Sequence, residues 1–491
     1  MKRIASIFIS WLCPMMAAAQ APDVRFLLSY GGADRIHVEM RMTPLESDST
    51  VLHYGEPRFG GQEDIFTGVD NIHVNVPATF VVHAADRSIT VRYPGKQAFQ
   101  LHYEVRDTHT QAMAVRGESF RPLISSDYIF FHGINIFLVP VVREQGKQAS
   151  LSVEWTKAPP FAIFYGYDPA HRKGRLIASF TDEFLYSPIT GAKDMSIDTF
   201  RVGKVNNYIV LRDYPGNPMT RESVGEYFRK YFRTINEYWR VGEGRPFSLV
   251  LHPFLKANYN ISGVAYNTGF VGRYKRDTTF NTDQVFVLSH EIGHHWLGQQ
   301  LTIGMNDQWF GEGFNDYVSF CVLLSSKQVT PRQFVDKMNI AFQKLYSSPV
   351  RNTPNDSVFV NYWKMGDYNR LPYWRGSIFA FWLDNRIRLT SGNGRCLRDL
   401  LLALMPLRKI EEDEQRITRE DFQTTASRFI PDHEVRDAFE RYIMRGETIA
   451  FTPDMLMPFF SVTDGQGVPT LTITDQASME KNFPGVRAQK K

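Results

Sequence analysis

The sequence predicts an α+β protein with a β-rich, sandwich-like N-terminal domain followed by a mixed domain and a helical C-terminal part. The chain has 491 residues, 43% of them hydrophobic, which is more than a single domain normally needs. Polar and apolar residues alternate in segments up to about residue 160, as in half-buried strands. From about residue 220 apolar residues recur at helical spacing instead.

The N-terminal strands are predicted from two-residue alternation between Gly, Asp and Pro turns. Four segments show it most clearly: "RIHVEMRM" (35–42), "SITVRYP" (88–94), "QLHYEVRD" (100–107) and "ASLSVEW" (149–155). Further short strands are expected in "FAIFYGY" (161–167) and "NNYIVLRDYPG" (206–216).

After residue 220 the spacing of apolar residues becomes helical, with Thr220 as the candidate N-cap. An apolar stripe at three- and four-residue spacing predicts an amphipathic helix with a core face: Val224, Tyr227, Phe228, Tyr231, Phe232, Ile235, Tyr238 and Trp239. A strand at 246–254, a strand or edge loop at 262–274 and a helix from about 283 to 300 follow. Helices then dominate to about residue 447.

The first residues read as a secretory signal, with a basic start at Lys2 and Arg3, a short apolar stretch and small residues at 17–19. No stretch is long and apolar enough to span a membrane. The protein is therefore expected to be exported to the periplasm or outside the cell. Lipid anchoring at Cys13 is disfavoured because bulky Leu12 suits that processing poorly. The predicted division is signal peptide 1–19, β-rich domain 20–200, mixed domain 201–325, helical part 326–450 and short tail 451–491.

Charge and cysteine content exclude two classes of protein. Lys and Arg total 56 against 52 Asp and Glu, without a dense basic run, so nucleic acid is not an expected partner. After the signal only Cys321 and Cys396 remain, which is too few for a disulfide scaffold. Cys321 lies in an apolar run and is predicted to be a buried free thiol.

The segment "VLSHEIGHHWLGQQ" (287–300) carries a possible metal site. On a helix, His290 and His294 project from the same face one turn apart, as two imidazoles on one cation must. Glu291 lies between them, where a carboxylate can take a proton from a metal-activated water. Because the helix is otherwise largely apolar, these polar side chains need partners.

A third ligand is expected downstream. A histidine six residues after His294 is excluded because Gln300 stands there. In "NDQWFGEGFNDYVSF" (306–320), Glu312 begins an apolar helical run and would complete a two-histidine, one-glutamate site, a set that favours one Zn²⁺ ion. Asp316, four residues on, is placed to accept the outer N–H of a ligating histidine, although a solvated helix residue is the alternative.

These two segments resemble the gluzincin aminopeptidase clan, and within it the glycyl aminopeptidase family. Segments similar to that family follow in the same order over most of the mature chain, including "SSDYIFFHGINIFLVP" (125–140), "FRVGKVNNYIVL" (200–211) and "PYWRGSIFAFWLDNRIRLTSGNGRCLRDLLLAL" (372–404). The resemblance implies a β-rich N-terminal domain, a thermolysin-like catalytic domain and a helical C-terminal part.

The resemblance also implies roles for single residues. His290, His294 and Glu312 correspond to the zinc ligands and Glu291 to the general base. Tyr373 takes the place of the tyrosine that stabilises the tetrahedral oxyanion, a role that suits a phenol because it donates a hydrogen bond to developing negative charge.

The chain departs from the pattern in two places. Seventeen residues separate His294 from Glu312, one fewer than in close relatives. The strand whose glutamate binds the substrate α-amine, GxMEN or GGLEH in relatives, reads "SGVAYN" here. If the pattern begins at Ser262, Ala265 takes the glutamate place, and if it begins at Gly263, Tyr266 takes it. Gly263, Ala265 and Tyr266 are thus the candidate substrate-binding residues, without the expected carboxylate.

Two functions remain open from the sequence. The first is an exported zinc peptidase acting on peptides or proteins, aminopeptidase-like but with altered recognition of the N-terminal amine. The alternative is a catalytically lapsed zinc-binding protein that serves as a binding or structural module. Glu291 and Tyr373 favour the enzyme, and the altered strand favours the alternative.

Overall fold

The computed structural model describes residues 24–483, apart from short internal segments. These segments are 33, 43–47, 55–64, 96, 109–120, 142–149, 172–173, 241–243, 255–260, 267, 363–365, 412–413 and 466. The predicted signal peptide and Cys13 lie outside the described residues, and export stays a prediction.

The N-terminal part is built from short strands, as predicted. The strands are β1 (Val24–Tyr30), β2 (Arg35–Met42), β3 (Ser49–His53), β4 (Val69–Val74), β5 (Thr79–His83), β6 (Ser88–Arg92), β7 (Phe99–Arg106), β8 (Leu123–Ile124), β9 (Tyr128–His132), β10 (Val139–Pro140), β11 (Ser150–Lys157), β12 (Ala162–Tyr165), β13 (Leu176–Ser179) and β14 (Pro188–Ala192). One short helix, α1 (Asp182–Tyr186), interrupts them. In β7 buried and half-buried residues alternate without exception, because one face of the sheet packs on the core.

These strands form three sheets around one apolar core. Their orders are β13-β11-β1-β2-β7-β4, β10-β3-β6-β5 and β12-β14-β9-β8. The core combines inward-facing residues of all three sheets, including Phe26, Leu101 and Phe131, which are fully buried. The predicted β-rich N-terminal domain is therefore confirmed as part of the α+β fold.

A five-stranded mixed sheet follows and carries the helices. Its strands are β15 (Met195–Val202), β16 (Val205–Arg212), β17 (Ser248–Phe254), β18 (Ile261–Tyr266) and β19 (Gly269–Lys275). They are ordered β15-β16-β17-β19-β18, with β16, β17 and β19 parallel to one another and β15 and β18 antiparallel to their neighbours. Residue 200, where the sequence suggested a domain boundary, lies inside β15, and the change of sheet falls between residues 192 and 195.

A small apolar cluster joins this sheet to the sheet that contains β9 and β12. Its members from the first sheet include Tyr128, Phe130 and Phe164, and its members from the second include Val271 and Tyr266. The Tyr128 hydroxyl lies 2.7 Å from His252 Nδ1 and satisfies both buried polar atoms. The face of the five-stranded sheet that contacts this cluster is therefore turned away from the helices.

Helices cover the opposite face of the five-stranded sheet. They are α2 (Glu226–Trp239), α3 (Thr282–Gly293), α4 (Asn315–Ser325), α5 (Pro331–Ser347), α6 (Asn355–Asn361), α7 (Gly366–Thr390), α8 (Leu397–Leu404), α9 (Arg419–Ala426), α10 (Asp432–Ala438) and α11 (Gln476–Asn482). The predicted stripe on α2 is buried, and Thr220 Oγ1 accepts a hydrogen bond from Ser223 N at the start of the preceding π-helical turn. The predicted amphipathic helix and its N-cap are confirmed.

The C-terminal residues belong to the helical unit. Two hairpins, β20 (Lys409–Glu411) with β21 (Glu414–Arg416) and β22 (Phe460–Gly465) with β23 (Val468–Ile473), lie between and after the helices. Phe460 and Leu471 of the second hairpin are buried in the same core as α5 and α7. Cys321 and Cys396 are buried free thiols, as predicted for Cys321. Among the described residues, no helix has both the length and the apolar character that crossing a membrane requires.

Candidate metal centre

The first two candidate ligands lie at the end of α3. Asn281 caps this helix by accepting a hydrogen bond from Asp283 N, and the Gln284 side chain accepts from Asn281 N in return. The helix ends at Gly293, so His294 is its C-cap rather than an interior residue. The imidazoles of His290 and His294 lie on one face with ring centroids 4.6 Å apart.

The helix is shorter than the predicted span of 283 to 300. The chain turns after His294, and Gly298 adopts a positive φ of 103°, which a helix cannot accommodate. The turn has a use at the site, because His294 Nδ1 lies 3.1 Å from the Leu297 carbonyl oxygen. An uninterrupted helix would use that carbonyl in its own hydrogen-bond ladder.

Glu312 reaches the two histidines from a π-helical turn, Trp309–Phe314, that leads directly into α4. Its Oε2 atom lies 3.1 Å from His290 Nε2 and 3.4 Å from His294 Nε2. One ligand atom from each of the three residues fits within 4.8 Å of the others. A π-helical turn widens the backbone locally and is frequent at functional sites. The structure thus brings the three sequence-predicted ligands together.

The outer nitrogens of both histidines are held by acceptors. Asp316 Oδ1 lies 2.8 Å from His290 Nδ1, and the Leu297 carbonyl serves His294 in the same way. Asn315 Nδ2 donates a 2.7 Å hydrogen bond to the His290 carbonyl and ties α3 to α4. An acceptor at Nδ1 fixes the tautomer in which Nε2 offers its lone pair to a cation. The donor set therefore fits a small divalent ion with a supporting second layer of contacts.

The charges of the group are coupled. Burial alone would lower the pKa of His290, but the Asp316 and Glu312 carboxylates raise that pKa well above its usual value. Burial would likewise raise the pKa of Glu312, and the neighbouring His294 and His290 lower it instead. The imidazole and carboxylate charges of these side chains therefore stabilise one another. A divalent cation at this site would displace the protons that the imidazoles bind.

Glu291 and Tyr373 line one cavity together with His290, the first of the metal-ligand candidates. The cavity has a volume of about 470 Å³ and is lined by Ile261, Phe286, Val287, His290, Glu291, Asp316, Phe320, Lys337, Ile340, Ala341, Arg370, Tyr373, Trp374 and Ser377. The Tyr373 ring stacks on His290 with centroids 5.5 Å apart. Burial and the nearby Glu312 and Glu291 carboxylates raise the pKa of Tyr373 well above its usual value, so the phenol stays protonated and can donate a hydrogen bond.

Two glycines allow Glu312 and Tyr373 to meet. Gly313, next to Glu312, touches Gly376 of α7, and a Cβ on Gly313 would lie 2.6 Å from the Pro372 carbonyl oxygen. A Cβ on Gly376 would meet the Trp309 carbonyl oxygen even more closely and would lie 2.8 Å from Gly313 Cα. The backbones of the π-helical turn and α7 are therefore in direct contact, which sets the position of both functional side chains.

Strand β18 contributes its two faces to different places. Gly263 and Ala265 pair with Gly272 and Phe270, on the face toward the core that contains α3, and a Cβ on Gly263 would meet the Phe270 ring. Tyr266 points to the opposite face and is buried in the cluster between the two sheets. Its position does not support a contact with a substrate at the metal-ligand group. Of the two registers left open by the sequence, the one that puts Ala265 in the glutamate place agrees with this alternation.

Periodicity in the sequence could have pointed to one further feature. Arg370, Tyr373, Trp374 and Ser377 of α7 all line the cavity, at spacings of three, four and seven residues. That spacing is visible in the sequence once Tyr373 is chosen as a reference. No comparable pattern in the sequence indicates that Lys337 on α5 lines the cavity, because α5 lies outside every motif.

Similarity to known proteins is extensive in fold and short in sequence. No protein-family model matches the chain. Aminopeptidase Q of Acinonyx jubatus and that of Felis catus are each 51% identical to it over 39 residues, which is 8% of this chain and 4% of theirs. The chain therefore matches only a small part of the length of these curated relatives.

Solved structures match over most of their length. An aminopeptidase N family protein of Idiomarina loihiensis superposes with a TM-score of 0.70 and 13% identity, over 88% of this chain and 78% of that protein. An M1 zinc metallopeptidase of Deinococcus radiodurans superposes with a TM-score of 0.50 and 15% identity, over 87% of this chain and 94% of the other. With its sheets, its helical unit and the His290, His294 and Glu312 group, the chain has the fold of the M1 zinc metallopeptidases.

Proposed function

We propose that the protein is an exported zinc peptidase in which His290, His294 and Glu312 hold one Zn²⁺ ion. The observation that carries the proposal is the convergence of both Nε2 atoms on Glu312 Oε2, beside the cavity that His290, Glu291 and Tyr373 line. Zinc bound by such a set polarises a carbonyl and lowers the pKa of a water molecule to about 7. Structural neighbours that are named zinc metallopeptidases support the same assignment.

Glu291, Tyr373 and Asp316 would have separate roles: moving a proton, stabilising negative charge and orienting His290. Glu291 faces the cavity beside the two histidines, where it accepts a proton from the attacking water and passes it to the departing amine. Tyr373, kept protonated by burial, donates a hydrogen bond to the oxygen on which negative charge develops. Asp316 keeps His290 oriented with Nε2 toward the ion.

Substrate entry is proposed along β18. This strand has a single described neighbour, β19, and its residue Ile261 lines the cavity, so we infer that an extended peptide pairs with its other edge. The resemblance implies an amine-binding carboxylate at the place of Ala265 or Tyr266, and neither residue carries a negative charge. We therefore expect hydrolysis in which a free N-terminal amine is not required, with peptides or unfolded proteins as substrates.

A zinc-loaded protein and its Glu291→Gln variant test the proposal. The parent should hydrolyse members of a mixed peptide library and lose that activity with a chelator. Glu291→Gln should keep its zinc and lose about 10²-fold or more in rate, the usual value of general-base assistance. Glu480→Gln, at an exposed position of α11 that does not line the cavity, removes the same charge and should hydrolyse like the parent.

The alternative function is favoured by the segment at 262–267, in which neither Ala265 nor Tyr266 supplies the amine-binding carboxylate that the resemblance implies. A parent protein that binds one zinc ion and hydrolyses no peptide of the library would identify a lapsed, zinc-binding module. Equal rates for the parent and Glu291→Gln would instead remove Glu291 from the mechanism.

A further inference from the structure

One cationic side chain of the cavity has no anionic partner among the described residues. Arg370 lies on α7 one turn before Tyr373, on the stripe that faces the cavity. Its guanidinium carbon lies 5.1 Å from the centre of the Tyr373 ring, and the side chain is exposed. No described carboxylate forms an ion pair with Arg370.

Other charged groups of the cavity are already engaged. Lys337 Nζ lies 2.8 Å from Asp283 Oδ1 and 4.5 Å from the centre of the Phe286 ring. Asp316 is bonded to His290, and Glu291 is the proposed base. Most of the remaining wall is apolar, and Val287 and Ile340 are 37% and 48% exposed, so an apolar substrate side chain can contact them. The cavity thus offers an apolar surface with one available positive charge.

The position of this charge relative to the metal-ligand group limits what it can bind. The Tyr373 ring centre is 5.5 Å from that of His290 and 5.1 Å from the Arg370 guanidinium carbon. The His290 ring centre and the Arg370 guanidinium carbon are therefore separated by no more than the length of about three residues of extended chain, each of which spans roughly 3.3–3.6 Å. A substrate carboxylate that Arg370 binds on the side facing His290 lies within about three residues of the bond that is hydrolysed.

We propose that Arg370 is a specificity residue that binds a carboxylate of the substrate within three residues of the hydrolysed bond. The proposal rests on the proposed peptidase function and names its substrate class: peptides with an apolar residue in the cavity and an acidic group close to it. A guanidinium pairs with a carboxylate through two parallel hydrogen bonds, a geometry that an ammonium does not reproduce.

Four related peptides distinguish two sources of the carboxylate. Two sequences differ only in carrying Glu or Gln beside an apolar residue at the cleaved bond, which lies within three residues of the C-terminus. Each sequence is made with a free and with an amidated C-terminus. The parent should show kcat/KM at least about tenfold higher for one charged form than for its neutral counterpart, as expected for a hydrogen-bonded ion pair. Glu over Gln identifies a side-chain carboxylate, and acid over amide identifies the C-terminal one.

Variants assign the preference to Arg370. Arg370→Gln should bring the ratio between charged and neutral peptides close to one, and Arg370→Glu should reverse it. Arg370→Lys should keep part of the ratio because it keeps the charge but not the two parallel bonds. Any effect of these substitutions on Tyr373 changes kcat/KM equally for the charged and the neutral peptide and therefore cancels in the ratio of the two. Arg332→Gln is the matched control, since Arg332 is 80% exposed on α5, pairs with Asp336 and does not line the cavity.

Each outcome decides the proposal. A parent ratio near one in both peptide pairs, or a ratio that Arg370→Gln leaves unchanged, overturns it while the peptidase function stands. If no peptide is hydrolysed, equilibrium binding of the four peptides to the zinc-loaded Glu291→Gln protein gives the same ratios. Tighter binding of a charged form that disappears with Arg370→Gln supports the proposal, and equal binding overturns it.

Discussion

At the scale of the residue, Tyr373 shows how burial keeps a phenol protonated for the role that we propose for it. Its ring stacks on His290, and the carboxylates of Glu312 and Glu291 together with burial raise its pKa, so the phenol remains a hydrogen-bond donor. A donor fixed before the reaction stabilises developing charge without reorganising at that moment. The phenol of Tyr373 therefore suits an oxygen that becomes negative in the transition state.

Replacement of Tyr373 by phenylalanine should separate this role from metal binding. Tyr373→Phe keeps the stacked ring and should retain zinc, while kcat falls by roughly 10²- to 10³-fold, as for the loss of one oxyanion donor. Tyr368→Phe on the same helix removes a hydroxyl from a residue that packs on the core without lining the cavity, and it should retain activity. Parent-like turnover by Tyr373→Phe would exclude the hydroxyl from the reaction.

Ala265 is the residue at which substrate choice should be adjustable. Ala265→Glu places a carboxylate on the helix-facing side of β18, and the ratio of kcat/KM for free over N-acetylated peptides should increase at least about tenfold, the effect of one charged hydrogen bond. In the parent, acetylation should change kcat/KM by less than about tenfold. A parent that cleaves only unblocked peptides would contradict this and would show that another acidic residue binds the amine.

Tyr266→Glu is the contrasting variant on the same strand. It would put a carboxylate into the buried apolar cluster between the two sheets, where a charge without a partner is strongly disfavoured. The expected result is a lower melting temperature with an unchanged preference between free and acetylated peptides.

At the scale of the element, the site depends on contacts between backbones. The π-helical turn that carries Glu312 and the helix that carries Tyr373 touch through Gly313 and Gly376, where neither residue has room for a Cβ. Asn315 Nδ2 binds the His290 carbonyl and fixes the turn's continuation, α4, against α3. Three elements thus set the relative positions of the ligands and of Tyr373.

A single methyl group at Gly376 should disturb this arrangement. Gly376→Ala is expected to lower the free energy of unfolding by about 1–3 kcal/mol, the usual cost of overpacking, and to reduce activity because α7 must shift. Urea unfolding with paired kinetics measures both. Gly366→Ala, at the start of the same helix, adds its Cβ where no described atom lies within 4 Å and should preserve stability. Equal stability of the two variants would contradict the close contact.

At the scale of the whole molecule, α3, α4 and α7 pack on the five-stranded sheet in one large core, and the metal-ligand candidates lie between α3 and the turn that precedes α4. An ion that binds the folded chain through all three ligands stabilises it by mass action, by about 2.7 kcal/mol when its free concentration is 100 times Kd. Metal binding and global stability are therefore linked.

Calorimetry with and without zinc should show this link. Zinc should raise the melting temperature of the parent, and a chelator should reverse the effect. Glu312→Ala should lack stoichiometric zinc by metal analysis and should show little response to added zinc, since too few ligands remain for tight tetrahedral binding. Near-stoichiometric zinc in Glu312→Ala would rule out Glu312 as the third ligand.

The sequence by itself determined the features that depend on neighbours along the chain. Alternation specified the strand at 35–42, and the apolar stripe with Thr220 specified α2, because side-chain direction follows the local period of the backbone. The four-residue spacing of His290 and His294 put both imidazoles on one face for the same reason.

Only the tertiary structure decided what depends on residues distant in sequence. It ended α3 at Gly293, assigned Ala265 and Tyr266 to opposite faces, brought Gly313 against Gly376 and placed Arg370 in the cavity. Local periodicity defines a pattern of faces along an element but not the partner that each face meets. That choice follows from packing the sheet and helices around a shared core. There, side-chain volume and backbone contact decide between strand registers that the sequence alone does not distinguish.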